Sequence, residues 1–168
     1  MLIENLVEET AGWLVLALVW DDEAQEAFRL VLPLDSITSW DDVLVDVPEG
    51  LKDAIPFAWS RYIDQRFALV PGVVKDADEK PVAMRLWFEN KTASRYLTQP
   101  FHTSQDPRIE RSGNGVAIQV NLVPNAPFIQ WILHHGAAAQ VLEPASLREM
   151  MGLETRKMAQ SYAKMFGP

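Results

Sequence analysis

The residues most suggestive of chemistry lie near the C-terminal end, in WILHHGAAAQVLEP (Trp131 to Pro144). His134 and His135 stand side by side before Gly136, and the chain has only one other histidine, His102 in FHTSQ. Imidazole nitrogens hold metals and carry protons near neutral pH. Adjacent residues of a helix, however, point about 100° apart, and helical metal pairs prefer a spacing of four. The pair therefore reads as the basic last turn of a helix, where a histidine meets exposed carbonyls and the negative end of the dipole. His102 joins a metal set only if the fold carries it there. Ser104 and Ser112 lie in no G-x-S-x-G elbow, and the chain contains neither G-x-G-x-x-G nor G-x-x-x-x-G-K-[ST]. The acidic groups Asp21, Asp22, Asp41, Asp42, Asp76 and Asp78 read as solvated turns without EF-hand spacing. With no cysteine, thiol catalysis, thiolate metal sites and disulfides are excluded. These observations point away from an enzyme and imply no metal and no cofactor.

Arginines and tryptophans are the remaining groups able to grip a ligand. Arg29, Arg61 and Arg66 lie in the first half of the chain, and an arginine fork holds anions bidentately. Trp40 and Trp59 sit in polar surroundings and are the tryptophans expected on a ligand or partner surface. Trp13, Trp20, Trp87 and Trp131 fall on apolar faces and are expected in the core. The net charge of −8 argues against a surface built to neutralise phosphates, although a local basic pocket fits an acidic protein.

The elements that must position these groups follow from periodicity. With 48% hydrophobic residues a packed core is expected. The run from Trp13 to Trp20 reads as a buried strand, DDEAQE as a turn, and FRLVLPL (Phe28 to Leu34) as the second strand of a hairpin. Pro33 cannot donate to a ladder and belongs at an edge or bulge. DVLVDV (Asp42 to Val47) alternates as a third short strand. After Pro56, the spacing of Trp59, Ile63 and Phe67 suits one face of a short helix. A boundary falls in VPGVVKDADEKP, giving domains 1–75 and 76–168. Beyond it the reading is strand (Val82 to Glu89), helix capped by Asn90, hairpin around SGNG, helix capped by Asn125 and closed by Gly136, strand, and a last helix to about Phe166. In that last helix Leu147, Met150, Met151, Met158, Tyr162 and Met165 are expected core contacts. The fold class is α+β, and the second domain has the β-α-β-β-α-β order of a ferredoxin-like sheet followed by a C-terminal helix. No basic, apolar leader opens the chain, and no run approaches the roughly 20 apolar residues of a membrane span, so a soluble cytoplasmic protein is expected.

The stretch WILHHGAAAQVLEP, with SLREMM and KMAQSYAKM after it and FHTSQ and VAMRLWFEN before it, resembles the C-terminal extension of bacterial WYL-domain transcriptional regulators. GWLVLA (Gly12 to Ala17) and FRLVLPLDSI (Phe28 to Ile37) resemble the WYL domain itself. The resemblance implies a small SH3-like or Sm-like β-barrel, here truncated with its first strands missing. It implies sensing of a nucleotide or short nucleic acid, a homodimer, and DNA contact through a domain absent from this sequence. Two positions depart from the pattern. Leu14 and Val15 replace the Tyr-Leu pair, and Ser36 stands where the ligand-facing arginine is expected. The resemblance makes Arg29 and Ser36 pocket candidates beside Trp40, Trp59, Arg61 and Arg66. The chain is read as a non-enzymatic regulatory module, with a purely structural dimerisation module as the alternative.

Overall fold

A computed structural model describes residues 1–9, 12–39, 50, 56–75 and 78–165. It is a mixed α+β structure with two antiparallel four-stranded sheets and, among the described residues, four α-helices. The chain divides into two compact units. The first comprises residues 1–63 and 68–79, and the second residues 64–67 and 80–168.

The first unit is a meander of β1 (Leu2–Glu9), β2 (Gly12–Asp21), β3 (Glu26–Pro33) and β4 (Gly72–Val73), paired in that order. β2 is the GWLVLALVWD run, and Leu14 to Leu18 are all buried, so both of its faces are covered. Its hairpin with β3 closes where Asp21 Oδ1 accepts from the amides of Glu23 and Ala24, at 2.9 and 3.1 Å. Pro33 ends β3 opposite Leu14, at the last pair of the ladder. The sequence reading placed no strand before GWLVLA. The structure does: β1 runs antiparallel to β2, with a bulge between Ile3 and Asn5. The helix expected after Pro56 is α1 (Trp59–Asp64). It is too short to include Phe67, which belongs to the second unit. Leu14, Leu16, Val31, Trp59 and Leu69 form this unit's core. The strand expected at 42–47 lies outside the described residues.

The second unit contains β5 (Val82–Glu89), α2 (Asn90–Thr98), β6 (Glu110–Ser112), β7 (Gly115–Leu122), α3 (Ala126–His134), β8 (Ala139–Glu143) and α4 (Ala145–Met165). The sheet order is β6-β7-β5-β8, with every pair antiparallel. Alternation in β5 buries Met84, Leu86 and Phe88 on one face. Ala93 and Tyr96 of α2, Phe128 and Ile132 of α3, and Leu147 of α4 pack onto that same core. Phe88 and Phe128 are fully buried, each stabilising by roughly 2–3 kcal/mol through area removed from water. Asn125 caps α3 as expected, its side chain accepting from the Phe128 amide at 3.2 Å. Gly136 follows the helix with φ +55°, the left-handed conformation a helix end favours. Asn90 is not a cap: α2 begins at Asn90, its cap residue is Glu89, and the Asn90 amide donates to the Asn114 carbonyl. The segment 64–67 joins this unit through a parallel bridge between Arg66 and Val123 and a 2.7 Å bond from the Val123 amide to the Gln65 carbonyl. No described helix is long and apolar enough to cross a membrane.

Candidate functional site

Glu4 lies at the register shift of β1, and its carboxylate reaches Arg29 and Trp59. One carboxylate oxygen, Oε2, accepts from the Trp59 indole N–H at 2.8 Å and lies 3.4 Å from Arg29 Nε. The Arg29 guanidinium also sits over the Phe57 ring, 4.6 Å from its centroid. Two expected ligand groups are thus brought together, but around an internal carboxylate. Trp59 is only 5% exposed and packs edge-on against Phe57 and Tyr62. Ser36 lies on an exposed 3-10 turn (Leu34–Ser36), where its hydroxyl donates to the Pro33 carbonyl at 2.6 Å. Arg61 is exposed on α1. Arg66 is 5% exposed and belongs to the second unit. Trp40 lies outside the described residues.

A groove in the first unit lies elsewhere. It measures about 520 Å³ and is lined by Glu9, Trp13, Leu34, Asp35, Leu69 and Pro71, among others. Trp13, expected in the core, is 48% exposed. The reason is register. Leu14 opposite Pro33 is the last pair of the β2–β3 ladder, so Trp13 has a partner only on β1, Glu8. Sequence reading missed this groove; the signal was a tryptophan at the first residue after Gly12, where the strand begins.

In the second unit the three histidines are separated in role. His134 is exposed. His135 turns into an aromatic cluster, its Nε2 2.8 Å from the Tyr96 hydroxyl and its ring edge-on to Trp131 and Phe88. Burial, then the neighbouring His134 and Arg95 charges, hold the His135 pKa below the usual imidazole value. Burial pushes the Tyr96 phenol up. His102 Nδ1 receives the Ser104 amide at 3.1 Å and faces the Ser104 hydroxyl at 2.8 Å. An amide can only donate, so Nδ1 is the acceptor and the proton resides on Nε2, 3.2 Å from the Arg66 carbonyl. The Ser104 hydroxyl accepts in turn from the Asn121 amide at 3.0 Å. Gln105 closes the loop, accepting from the Phe101 amide and donating to the Tyr96 carbonyl. FHTSQ is therefore a clip that ties α2, β7 and the segment around Arg66 together. Burial lowers the His102 pKa, against partial support from the Arg66 carbonyl and the Asp64 charge. Among the described residues, no three His, Asp or Glu side chains gather to hold a metal.

Residues 80–159 match the family model of the WCX domain, the extension related to WYL domains. This part of the chain is similar to WCX domains. The resemblance to WYL-type regulators read from WILHHGAAAQVLEP and FHTSQ stands on that match, which covers both stretches. No curated protein matches the chain.

The second unit carries a groove of about 570 Å³ along α4, where Leu133, Ala137, Val141, Met151, Met158 and Tyr162 form part of the lining. Of the core contacts expected on α4, Leu147 is buried and Met151 is partly buried, whereas Met150, Met158 and Tyr162 are exposed, Tyr162 by 60%. Geometry explains the difference. Twenty-one residues make a helix roughly 31 Å long. The five residues of β8 span only roughly 17 Å, so the far turns of α4 outrun the core.

Proposed function

We propose that this chain is the ligand-sensing and dimerisation module of a bacterial WYL-type transcriptional regulator, working in the cytoplasm without catalysis. The observation that carries this reading is the WCX match, whose first residue, 80, coincides with the start of the main segment of the second unit. In this reading the second unit is ferredoxin-like. Its strands, counted within the unit, lie in the order two, three, one, four, and that order supports the assignment. In the same reading the first unit is an SH3-like or Sm-like β domain, which its antiparallel meander and the GWLVLA stretch in β2 support. DNA would be held by another domain of the regulator. The non-catalytic reading draws support from the histidines, since His102 and His135 are both engaged in internal bonds.

Homodimerisation is assigned to α4, because Leu153, Met158 and Tyr162 leave an apolar stripe open to solvent. Sedimentation velocity tests it. The chain should dimerise, and Met158→Glu with Tyr162→Glu should weaken the dimer more than tenfold while leaving the helical circular dichroism unchanged. A strict monomer at high micromolar concentration would sink the assignment. A module that dimerises and senses nothing is favoured by one observation, the serine at position 36 in place of an arginine.

A further inference from the structure

The groove beside Trp13 has a charge that contradicts a phosphate-bearing effector. Its floor and walls are apolar: Leu14, Leu34, Leu69 and the prolines at 33 and 71. Among the described residues that line it, Glu9 and Asp35 are the charged ones, and none is Lys, Arg or His. Glu9 is held in place, one carboxylate oxygen lying 3.4 Å from the Leu69 amide that donates to it. Asp35 stands on the exposed turn after β3. Trp13 offers an open indole at the rim. Two residues expected to bind an anion are engaged elsewhere, Arg29 at Glu4 and the Ser36 hydroxyl at the Pro33 carbonyl. Against the described lining, a phosphate would face two carboxylates, a repulsion that an apolar wall strengthens. A cation would meet the reverse: two carboxylates and an aromatic face, which together recognise ammonium groups. About 520 Å³ lies within the range of small-molecule sites.

We infer that this groove binds an organic cation, an ammonium or guanidinium group on an aryl or branched alkyl body. The body fills the apolar floor against Trp13 and Leu69, and the charge lies between Glu9 and Asp35. The inference rests on the regulatory reading and names the chemical class of its effector.

The test is a titration of the full chain, following the indole Nε1–H resonance of Trp13, assigned by Trp13→Phe, and the Leu69 amide. The probes are phenethylamine, phenylpropionate as its near-isosteric anion, and adenosine monophosphate. Phenethylamine should move both resonances and bind roughly tenfold tighter than phenylpropionate, the worth of one charge-assisted hydrogen bond. The double variant Glu9→Gln, Asp35→Asn should abolish that preference, and added salt should reduce it. Equal or tighter binding of phenylpropionate at Trp13 overturns the inference. So does a response to the nucleotide confined to resonances far from Trp13, which would leave the sensing reading standing. Silence from all three probes overturns the inference and leaves dimerisation as the module's role.

Discussion

The clip formed by His102 and Ser104 can be tested quantitatively. Ser104→Ala removes a hydroxyl that accepts from the Asn121 amide and donates to His102 Nδ1. Each neutral hydrogen bond is worth about 0.5–1.5 kcal/mol net, so the loss is about 2 kcal/mol. His102→Ala removes the bond to the Arg66 carbonyl, both contacts to Ser104 and the ring itself, and costs about 3 kcal/mol. If the two act as one device, the double variant costs less than the sum by about 1 kcal/mol. The assay is urea unfolding of the four proteins above neutral pH, followed by tryptophan fluorescence and circular dichroism. A 2 kcal/mol loss moves the midpoint by about 1 M urea. Coupling below about 0.3 kcal/mol refutes the clip even if both single variants are destabilised, because independent packing losses add.

Two further outcomes follow from the same unit. His102 and His135 both have folded-state pKa values below the unfolded value of 6.5, chiefly through burial. The unfolded chain therefore binds protons first, and stability present above pH 6.5 should fall as pH drops below it; a urea midpoint that stays flat from neutral to mildly acidic pH would contradict this. Gly136→Ala should cost about 1 kcal/mol and no more, because φ is +55° but nothing lies within 4 Å of the added Cβ; a loss above about 3 kcal/mol by thermal unfolding would show that the site is crowded.

Most of the second unit was legible because its signals are local. Alternation in VAMRLWFE, the Asn125 cap, the Gly136 stop and the glycine-flanked turn at SGNG each act within a few residues, and each appears where expected. The tryptophans show where locality ends. Trp59 has polar neighbours in sequence, yet its indole is buried because Glu4, 55 positions away, accepts its N–H. Trp13 continues an apolar run, yet it is exposed because β3 stops one pair short of it. Both outcomes depend on a strand partner, and a strand partner is not written beside the residue. The same holds for β1, whose mixture of acids and aliphatics has no meaning as a strand until β2 lies against it. The grooves were invisible for a related reason, each being lined by residues from several elements. On α4 the period of the apolar residues was readable, but the length of the surface beneath it was not.

The second unit includes four residues that precede its main segment by a dozen positions. Phe67 packs its ring against Phe128 and Trp131, at 5.6 and 5.0 Å between centroids, and the Arg66 carbonyl receives His102. The backbone thus passes from one folded body to the other at 63–64, back at 67–68, and over again at 79–80. Severing the chain at any single peptide bond near residue 80 would not free the intact second unit; it would leave an aromatic slot and a histidine without their occupants. The family match begins at residue 80, whereas the unit that folds around Phe128 also takes in the tetrapeptide from Asp64 to Phe67.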